Sequence, residues 1–260
     1  GQVAAMTSGQ IKALTTSQLA GMSTSQIASI DVTDFANLST SQLRALTTGA
    51  GGQISSLSDD QLQSLTAAQV ASLTTSQIQS LTTGTGGQIA ALTSSQIAGL
   101  TTSQIAALKT DQISVIEVED FAALSATQIA AITSSQMAAL TTEQIDAISS
   151  LSSLSSSQLS QLDTQTIQDM SLEAFTALTT SQIAGLSGAQ VAALTTDQLQ
   201  AMSTAQARAL TSTQIASMNT TQIASFEPED IAALSTSAIK AFTTAANGMI
   251  AALSEDQVMA

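Results

Sequence analysis

The chain contains no cysteine, histidine, tryptophan or tyrosine and only one proline among its 260 residues. Without histidine and cysteine it has no imidazole base, no thiolate nucleophile and no Cys/His zinc site. The absence of cysteine leaves the redox compartment open, because exported proteins need not carry disulfides. We therefore expect no enzymatic activity; a mechanism that uses only carboxylates or serine hydroxyls is the alternative.

Charged residues are also scarce, at 9% of the chain, and the net charge is −14. The few Lys and Arg residues are spread singly, whereas nucleic acids and anionic membrane surfaces require them in clusters. No run of 18 or more apolar residues occurs, and no basic segment precedes an apolar core as in a signal peptide. The sequence thus predicts no nucleic-acid partner, no membrane span and no signal peptide in these residues.

What the chain does contain is an eight-residue unit, Thr-Thr-Ser-Gln-Ile-Ala-Ala-Leu in rough consensus, that recurs from one end to the other. We call each copy an octad and number its positions from the first Thr, so that Thr15 is at position one and Met22 at position eight. Repeats of a fixed period are typical of arrays that scaffold, span or bind rather than catalyse.

Each octad carries the signals of a helix start. Ser or Thr at position one with Gln at position four has the spacing of a capping box. Of the 19 acidic residues, all except Asp146 and Asp169 lie at positions one to four, and most basic residues lie at position six, as the helix dipole favours. Pro228 lies at position two, the first helical residue, where its missing amide proton is harmless. The pattern predicts one short helix in every octad.

The apolar residues lie at positions five and eight, which share one side of a helix but would face opposite sides of a strand. We therefore predict an all-α solenoid or superhelix of very short capped helices, one per octad, with a β-solenoid as the alternative. Position seven is almost always small and is expected to pack closely against a neighbouring helix. Positions three and six are expected to face water.

We expect one continuous array over residues 1–260 that forms a segment of a longer array, because both ends fall partway through an octad. Three-residue insertions near 49–52, 84–87 and 245–248 contain Gly-Gly or Asn-Gly and predict widened turns between helices. The register also shifts near 148–154.

Four octads, which start at Asp31, Glu117, Ser171 and Glu227, have acidic or apolar residues among their first positions in place of the usual polar start. They are predicted to be helix caps with an extra apolar contact at position two. Their clustered carboxylates are also candidate ligands for Ca²⁺, the only cofactor considered, because Ca²⁺ prefers several oxygen ligands. An enzyme would most plausibly use Glu119 with Asp120. The candidate calcium ligands are Asp31, Asp34, Glu117, Glu119, Asp120, Glu227, Glu229 and Asp230.

Residues 92–108 read LTSSQIAGLTTSQIAAL. This tract resembles the Leu-Thr-Thr-x-Gln-Ile-x-Ala repeats of large bacterial secreted and surface proteins, which are adhesin-like or surface-layer-like. The resemblance implies an extracellular or cell-surface location and assembly outside the cell. We expect a non-catalytic, self-assembling structural module of a filament, stalk or surface layer, whose partners are copies of itself or further repeats. The alternative is an adhesin-type binding module that recognises a glycan, ice or a host surface through its Thr/Gln-rich face.

Overall fold

The computed structural model describes residues 2–49, 51–84, 86–148, 151–244 and 248–260. The chain divides into two compact units, Gly1–Ala139 and Leu140–Ala260. Throughout the described residues the regular structure consists of short helices, and no β-strand is present. The prediction of an all-α repeat solenoid is therefore confirmed, and the β-solenoid alternative is wrong.

The first unit contains fourteen α-helices in its described residues, with short 3₁₀ segments at Val3–Ala5 and Ile54–Ser56. The helices are α1 (Ser8–Lys12), α2 (Thr16–Ala20), α3 (Thr24–Ala28), α4 (Val32–Phe35), α5 (Thr40–Arg44), α6 (Asp59–Gln63), α7 (Ala67–Ser72), α8 (Thr75–Ser80), α9 (Ser94–Ala98), α10 (Thr102–Ala107), α11 (Thr110–Ile113), α12 (Val118–Phe121), α13 (Ala126–Ala130) and α14 (Ser134–Met137).

The second unit continues with thirteen α-helices in its described part and with 3₁₀ segments at Leu151–Ser153 and Met249–Ala252. The helices are α15 (Thr142–Asp146), α16 (Ser156–Leu159), α17 (Thr164–Asp169), α18 (Leu172–Thr176), α19 (Thr180–Gly185), α20 (Gly188–Ala193), α21 (Thr196–Gln200), α22 (Thr204–Ala209), α23 (Ser212–Ser217), α24 (Thr220–Ala224), α25 (Pro228–Ala233), α26 (Thr236–Thr244) and α27 (Glu255–Met259).

Helix α10 illustrates why an octad folds this way. Thr101 adopts an extended backbone, and its hydroxyl accepts a hydrogen bond of 3.2 Å from the Gln104 backbone N–H. The Gln104 Oε1 in turn accepts a hydrogen bond of 2.8 Å from the Thr101 backbone N–H. The helix ends at Ala107, and the extended backbone of the following Leu108 (ψ 139°) leads into the next cap. The predicted capping box is confirmed here and in most of the other octads.

The inserted octads differ from this pattern. The described residues between 47 and 57 form only the 3₁₀ segment Ile54–Ser56 and no α-helix, so the prediction of a helix in every octad was wrong there. The insertion lies inside the capping box rather than between helices. Gln53, six residues after Thr47 instead of three, still accepts a 2.9 Å hydrogen bond from the Thr47 N–H. The insertion therefore lengthens the cap without displacing its glutamine.

Glycines with positive φ make these longer caps possible, as predicted. Gly49 and Gly51 have φ of 94° and 74°, and Gly84 and Gly86 have 105° and 71°. Only glycine adopts such backbone angles without steric cost. Ala50, Thr85 and residues 245–247 of the predicted insertions lie outside the described residues, as do residues 149–150 of the predicted register shift.

Helices pack against the helix three octads further along the chain, for example α9 with α12, α20 with α23 and α23 with α26. Positions five and eight are buried between them, as Ile105 and Leu108 show. Each such side chain contributes about 1.5–3 kcal/mol before chain entropy is subtracted. Position seven packs closely against a neighbouring helix, as predicted, which explains why its residue is small. A Cβ added to Gly99 would lie 2.7 Å from the Cβ of Ala67, a position-two residue three octads earlier.

Candidate functional site

The glutamine at position four joins successive turns of each unit. The Gln104 side chain is buried, and its Nε2 donates to the backbone oxygens of Val70 at 3.0 Å and Leu73 at 2.8 Å. These acceptors are positions five and eight of the fourth octad before it. One side chain thus caps its own helix through Oε1 and binds the preceding turn through Nε2.

The sequence pattern predicts only the capping role of this glutamine, and the hydrogen bonds to the preceding turn were not predicted. A signal was present, because a capping box accepts Glu as readily as Gln, whereas only the amide carries a donor. The recurrence of Gln, rather than a mixture of Gln and Glu, indicates that the donor is used. Each helix packs against the helix three octads away, whereas each ladder glutamine binds backbone oxygens four octads earlier. One turn is therefore between three and four octads long.

We call this set of hydrogen bonds the glutamine ladder. Its members in the described residues of Gly1–Ala139 are Gln42, Gln53, Gln61, Gln69, Gln77, Gln88, Gln96, Gln104, Gln112, Gln128 and Gln136. Its members in Leu140–Ala260 include Gln182, Gln190, Gln198, Gln206, Gln214, Gln222 and Gln257.

In three of the acidic octads an aspartate replaces the ladder glutamine. Asp34, Asp120 and Asp230 are buried at position four. An ionised carboxylate has no donor for backbone carbonyls, and it accepts instead. The Ser94 hydroxyl, at position two of the third octad before, donates to Asp120. Thr204 lies at the same position relative to Asp230 and forms a hydrogen bond with the Asp230 side chain.

The electrostatic surroundings of these aspartates differ. Burial raises the pKa of Asp230, the hydrogen bond from Thr204 opposes that shift, and the carboxylates of Glu227 and Glu229 add to it. The Asp34 Oδ1 is buried and has no hydrogen-bond partner in the described part of the chain. None of these three aspartates makes a ladder bond in the described residues.

The other candidate calcium ligands lie at exposed positions. The Asp31 carboxylate caps α4, accepting from the Thr33 N–H at 2.9 Å, and its hydrogen bond with the Thr33 hydroxyl lowers the pKa of Asp31. Glu117 and Glu227 precede α12 and α25 without a side-chain cap bond. The cap prediction thus holds for Asp31 and not for these two glutamates.

No group of three or more acidic side chains that could hold a metal ion occurs among the described residues. Glu119 is exposed while the adjacent Asp120 is buried, so this pair does not share one environment. The calcium site remains a prediction. At position two, Val118 and Leu172 are 37% and 46% exposed, and the apolar contact there stays a prediction.

A polar groove of about 570 Å³ lies beside the first two insertions. Lys109, the one basic residue at position one, lines it together with Asp111 and Thr83. The Thr83 hydroxyl donates to the Asp111 carboxylate at 3.2 Å. Sequence reasoning did not bring these residues together, because they belong to different turns.

Three position-four glutamines of Gly1–Ala139 make no ladder bond in the described residues. Gln10, Gln18 and Gln26 are exposed, although each Oε1 accepts from its own cap N–H at 2.7–2.8 Å. In the described residues their Nε2 groups have no hydrogen-bond partner. We call these three side chains the donor row.

Three position-five side chains in Leu140–Ala260 are exposed. Ile239, Ile250 and Val258, all at position five, are 38%, 50% and 66% exposed, whereas interior position-five residues such as Ile105 are buried. They line an apolar cavity of about 380 Å³ that also includes Leu253. We call Ile239, Ile250 and Val258 the apolar row.

The helices in the described ranges include none long and apolar enough to cross a membrane. A search of the curated proteins gave no match. The ALTTAQ repeat, in contrast, matches the chain at residues 1–32, 86–115, 113–150, 174–204, 191–227 and 223–260, which together are well over half of it. These matches cover ladder glutamines and both end turns, and the chain belongs to the ALTTAQ repeat family.

Proposed function

We propose that this chain is a non-catalytic structural module of an extracellular filament, stalk or surface layer. The observation that carries the proposal is the glutamine ladder, in which the buried position-four glutamine of most octads joins one turn to the turn before it. The resemblance to repeats of bacterial secreted and surface proteins supports the extracellular location.

A structural module should tolerate removal of whole octads, because every ladder bond obeys the same spacing. Deletion of residues 179–186, one complete octad, should give a folded protein with unchanged helicity per residue. The matched control is deletion of residues 179–182, half an octad, which places an apolar residue where the ladder needs glutamine. Equal loss of helicity in both variants would contradict the modular role.

Location requires a separate test in the native host. Antibodies against the purified chain should label intact cells or the extracellular fraction, and external protease should remove the signal. Labelling that appears only after the cells are opened would contradict the extracellular proposal.

A binding module is the second candidate function, and the polar groove beside the insertions favours it. The Lys109 ammonium and Asp111 carboxylate are suited to a neutral polar ligand such as a glycan. A glycan array should then show binding that Lys109→Ala weakens at least tenfold, with Lys12→Ala as the control at an exposed site outside the groove. Undiminished binding by the Lys109 variant would place recognition elsewhere.

A further inference from the structure

Asp34 and Asp120 occupy the place of the ladder glutamine in two octads of Gly1–Ala139. Both lie at position four, and they are 7% and 8% exposed. The next residue in each case is a fully buried phenylalanine, Phe35 or Phe121. Each carboxylate therefore lies in the packed contact between turns and away from solvent.

The ladder acceptors that belong to the place of Asp120 have no donor. A ladder glutamine with no insertion in the intervening octads, such as Gln136, donates to the backbone oxygens 31 and 28 residues earlier, at 2.8 and 2.6 Å. The same count leads from Asp120 to the oxygens of Ile89 and Leu92. No side chain in the described residues donates to either oxygen. The Asp120 carboxylate thus stands where two carbonyl oxygens call for a positive group.

Asp34 supplies a second and independent observation. Its Oδ1 is buried and has no hydrogen-bond partner in the described part of the chain. Counting 31 and 28 residues back leads to the oxygens of Val3 and Met6, which are both among the described residues. A buried carboxylate oxygen without a partner is unfavourable. This orphaned oxygen therefore indicates a ligand between the two turns.

A hydroxyl completes the set of oxygens. The Ser94 hydroxyl donates to Asp120, which brings the Ser94 oxygen beside the carboxylate. The corresponding residue for Asp34, at position two of the third octad before it, is Ser8. By the register of the repeat, each place therefore combines one carboxylate, two backbone carbonyls and one hydroxyl. Such a mixture of oxygen ligands is typical of Ca²⁺ sites.

The shorter side chain leaves room for an ion. Aspartate has one methylene fewer than glutamine, so its oxygens lie further from the carbonyls by about 1.5 Å, one C–C bond. Added to the 2.6–2.8 Å of the Gln136 bonds, this gives a separation of roughly 4 Å. Ca²⁺ bridges oxygens at that separation, because its bonds to oxygen are about 2.3–2.6 Å. Mg²⁺ fits less well, since it requires octahedral geometry at about 2.0–2.1 Å and keeps its waters.

The charge at these places favours a cation over a bridging water. An ionised carboxylate that is buried without a positive partner is strongly unfavourable, and a water molecule leaves that charge in place. Neither Asp34 nor Asp120 forms an ion pair with Lys or Arg in the described ranges. Exposed carboxylates of the same octads, Asp31 in one and Glu117 with Glu119 in the other, add to the attraction for a cation.

We propose that Asp34 and Asp120 each hold a Ca²⁺ ion in place of the ladder amide, with the two carbonyl oxygens of the preceding turn and the position-two hydroxyl as further ligands. The ion joins the same two turns that a glutamine joins elsewhere. Each site uses a single carboxylate, so it is not a group of three acidic side chains, of which the described residues contain none. Asp230 differs, because burial raises its pKa and favours a proton there. The proposal does not depend on the structural function proposed above.

Calorimetric titration of the full chain with CaCl₂ tests the proposal. The wild type should bind one ion at Asp34 and one at Asp120, with dissociation constants of about 10⁻⁴–10⁻³ M, the range of calcium modules that work outside the cell. MgCl₂ should bind at least tenfold more weakly. The melting temperature of the wild type should rise when CaCl₂ is added.

Asp34→Gln with Asp120→Gln returns the ladder amide to both places. This variant should bind no Ca²⁺, and in EDTA it should melt at a higher temperature than the wild type, because the amides donate to the carbonyls directly. Asp34→Asn with Asp120→Asn is a second variant that keeps the size of each side chain, and it should also bind no ion. The matched control is Glu117→Gln with Glu119→Gln, which removes the same number of charges at exposed positions. The control should bind as many ions as the wild type.

Three results would overturn the inference. No binding by the wild type at concentrations tenfold above the expected range would show that a proton or a water fills these places. Binding that persists in the glutamine variant would place the ions on exposed carboxylates. Equal binding of Mg²⁺ would indicate a general attraction of cations to an acidic surface. Each of these results leaves the proposed structural function to the octad-deletion and cell-labelling tests.

Discussion

Gly185 lies so close to Ser156 that an added Cβ would be 2.3 Å from the Ser156 Cβ and 3.3 Å from its Cα. Gly185 is at position seven of its octad and Ser156 at position two of the third octad before it. The short distance shows that the Gly185 backbone packs directly against Ser156 of the adjacent turn, with no room for a side chain at Gly185. The size of the residue at position seven therefore limits how closely two turns approach.

Gly185→Ala should destabilise the protein by about 1–3 kcal/mol, the usual cost of overpacking a tight contact. The control is Gly21→Ala, which is also at position seven but in the first turn, where the nearest atom to the new Cβ is the Ser17 oxygen of its own octad at 3.3 Å. That variant should be close to neutral. Thermal unfolding followed by circular dichroism measures both, and equal shifts would contradict this explanation of position seven.

The glutamine ladder predicts a large effect of removing one amide donor. Gln96 donates to the oxygens of Leu62 and Leu65, both at 2.7 Å. Gln96→Glu keeps the capping oxygen but brings a buried carboxylate against two carbonyl oxygens. We expect a loss of at least about 3 kcal/mol at neutral pH, because a buried charge without a partner costs more than a neutral group.

The matched control for this substitution is Gln18→Glu in the donor row, where the side chain is exposed and makes no ladder bond in the described residues. It should change the free energy of unfolding by less than about 0.5 kcal/mol. Chemical denaturation at pH 7 and at acid pH provides the measurement. The Gln96 variant should recover part of its stability in acid, since a protonated glutamate can donate one hydrogen bond, and no recovery would argue against the donor role.

The local structure could be predicted from sequence because it depends on residues within one octad. The cap formed by Thr101 and Gln104 and the start of α25 at Pro228 use groups only a few residues apart. The bond between Gln104 and Val70 could not be predicted, since it joins residues 34 apart. That separation depends on the backbone angles at positions eight and one, such as the ψ of Leu108, which sequence pattern does not specify.

The same limit explains the candidate site. The sequence indicated which residues are apolar at position five, but not that positions four and five face opposite ends of each turn. Small angular changes summed over three or four octads decide which side chains meet. The donor row and the apolar row therefore became visible only in the structure.

Proline substitution tests the phase of the repeat. Thr102 is the first residue of α10, and the preceding Thr101 has the extended backbone that a following proline requires. Thr102→Pro should therefore be tolerated, as Pro228 is in α25. Ala106→Pro lies in the last turn of the same helix and should cost about 3 kcal/mol or more, because it removes a helical hydrogen bond. Similar melting temperatures for the two variants would contradict the assigned helix start.

Asp230 predicts a dependence of stability on pH with an unusual sign. Burial, with Glu227 and Glu229 nearby, raises its pKa in the folded state. The folded protein therefore binds this proton more tightly than the unfolded chain does. The resulting stability is fully present below the unfolded value of about 3.9 and is lost as the pH rises through the folded pKa.

Asp230→Asn removes this ionisation and keeps an oxygen that can accept from Thr204. Relative to the wild type, the variant should gain stability as the pH rises from about 3 to about 7, across the window that opens at the unfolded pKa.

The control is Asp163→Asn, because a hydrogen bond from the Thr166 backbone N–H lowers the pKa of Asp163. Stability from Asp163 is present above its unfolded pKa and is lost as the pH falls through the folded one, so this variant should lose relative stability over the same rise in pH. Denaturation midpoints at several pH values measure both trends. Trends of the same sign would show that burial of Asp230 does not control its ionisation.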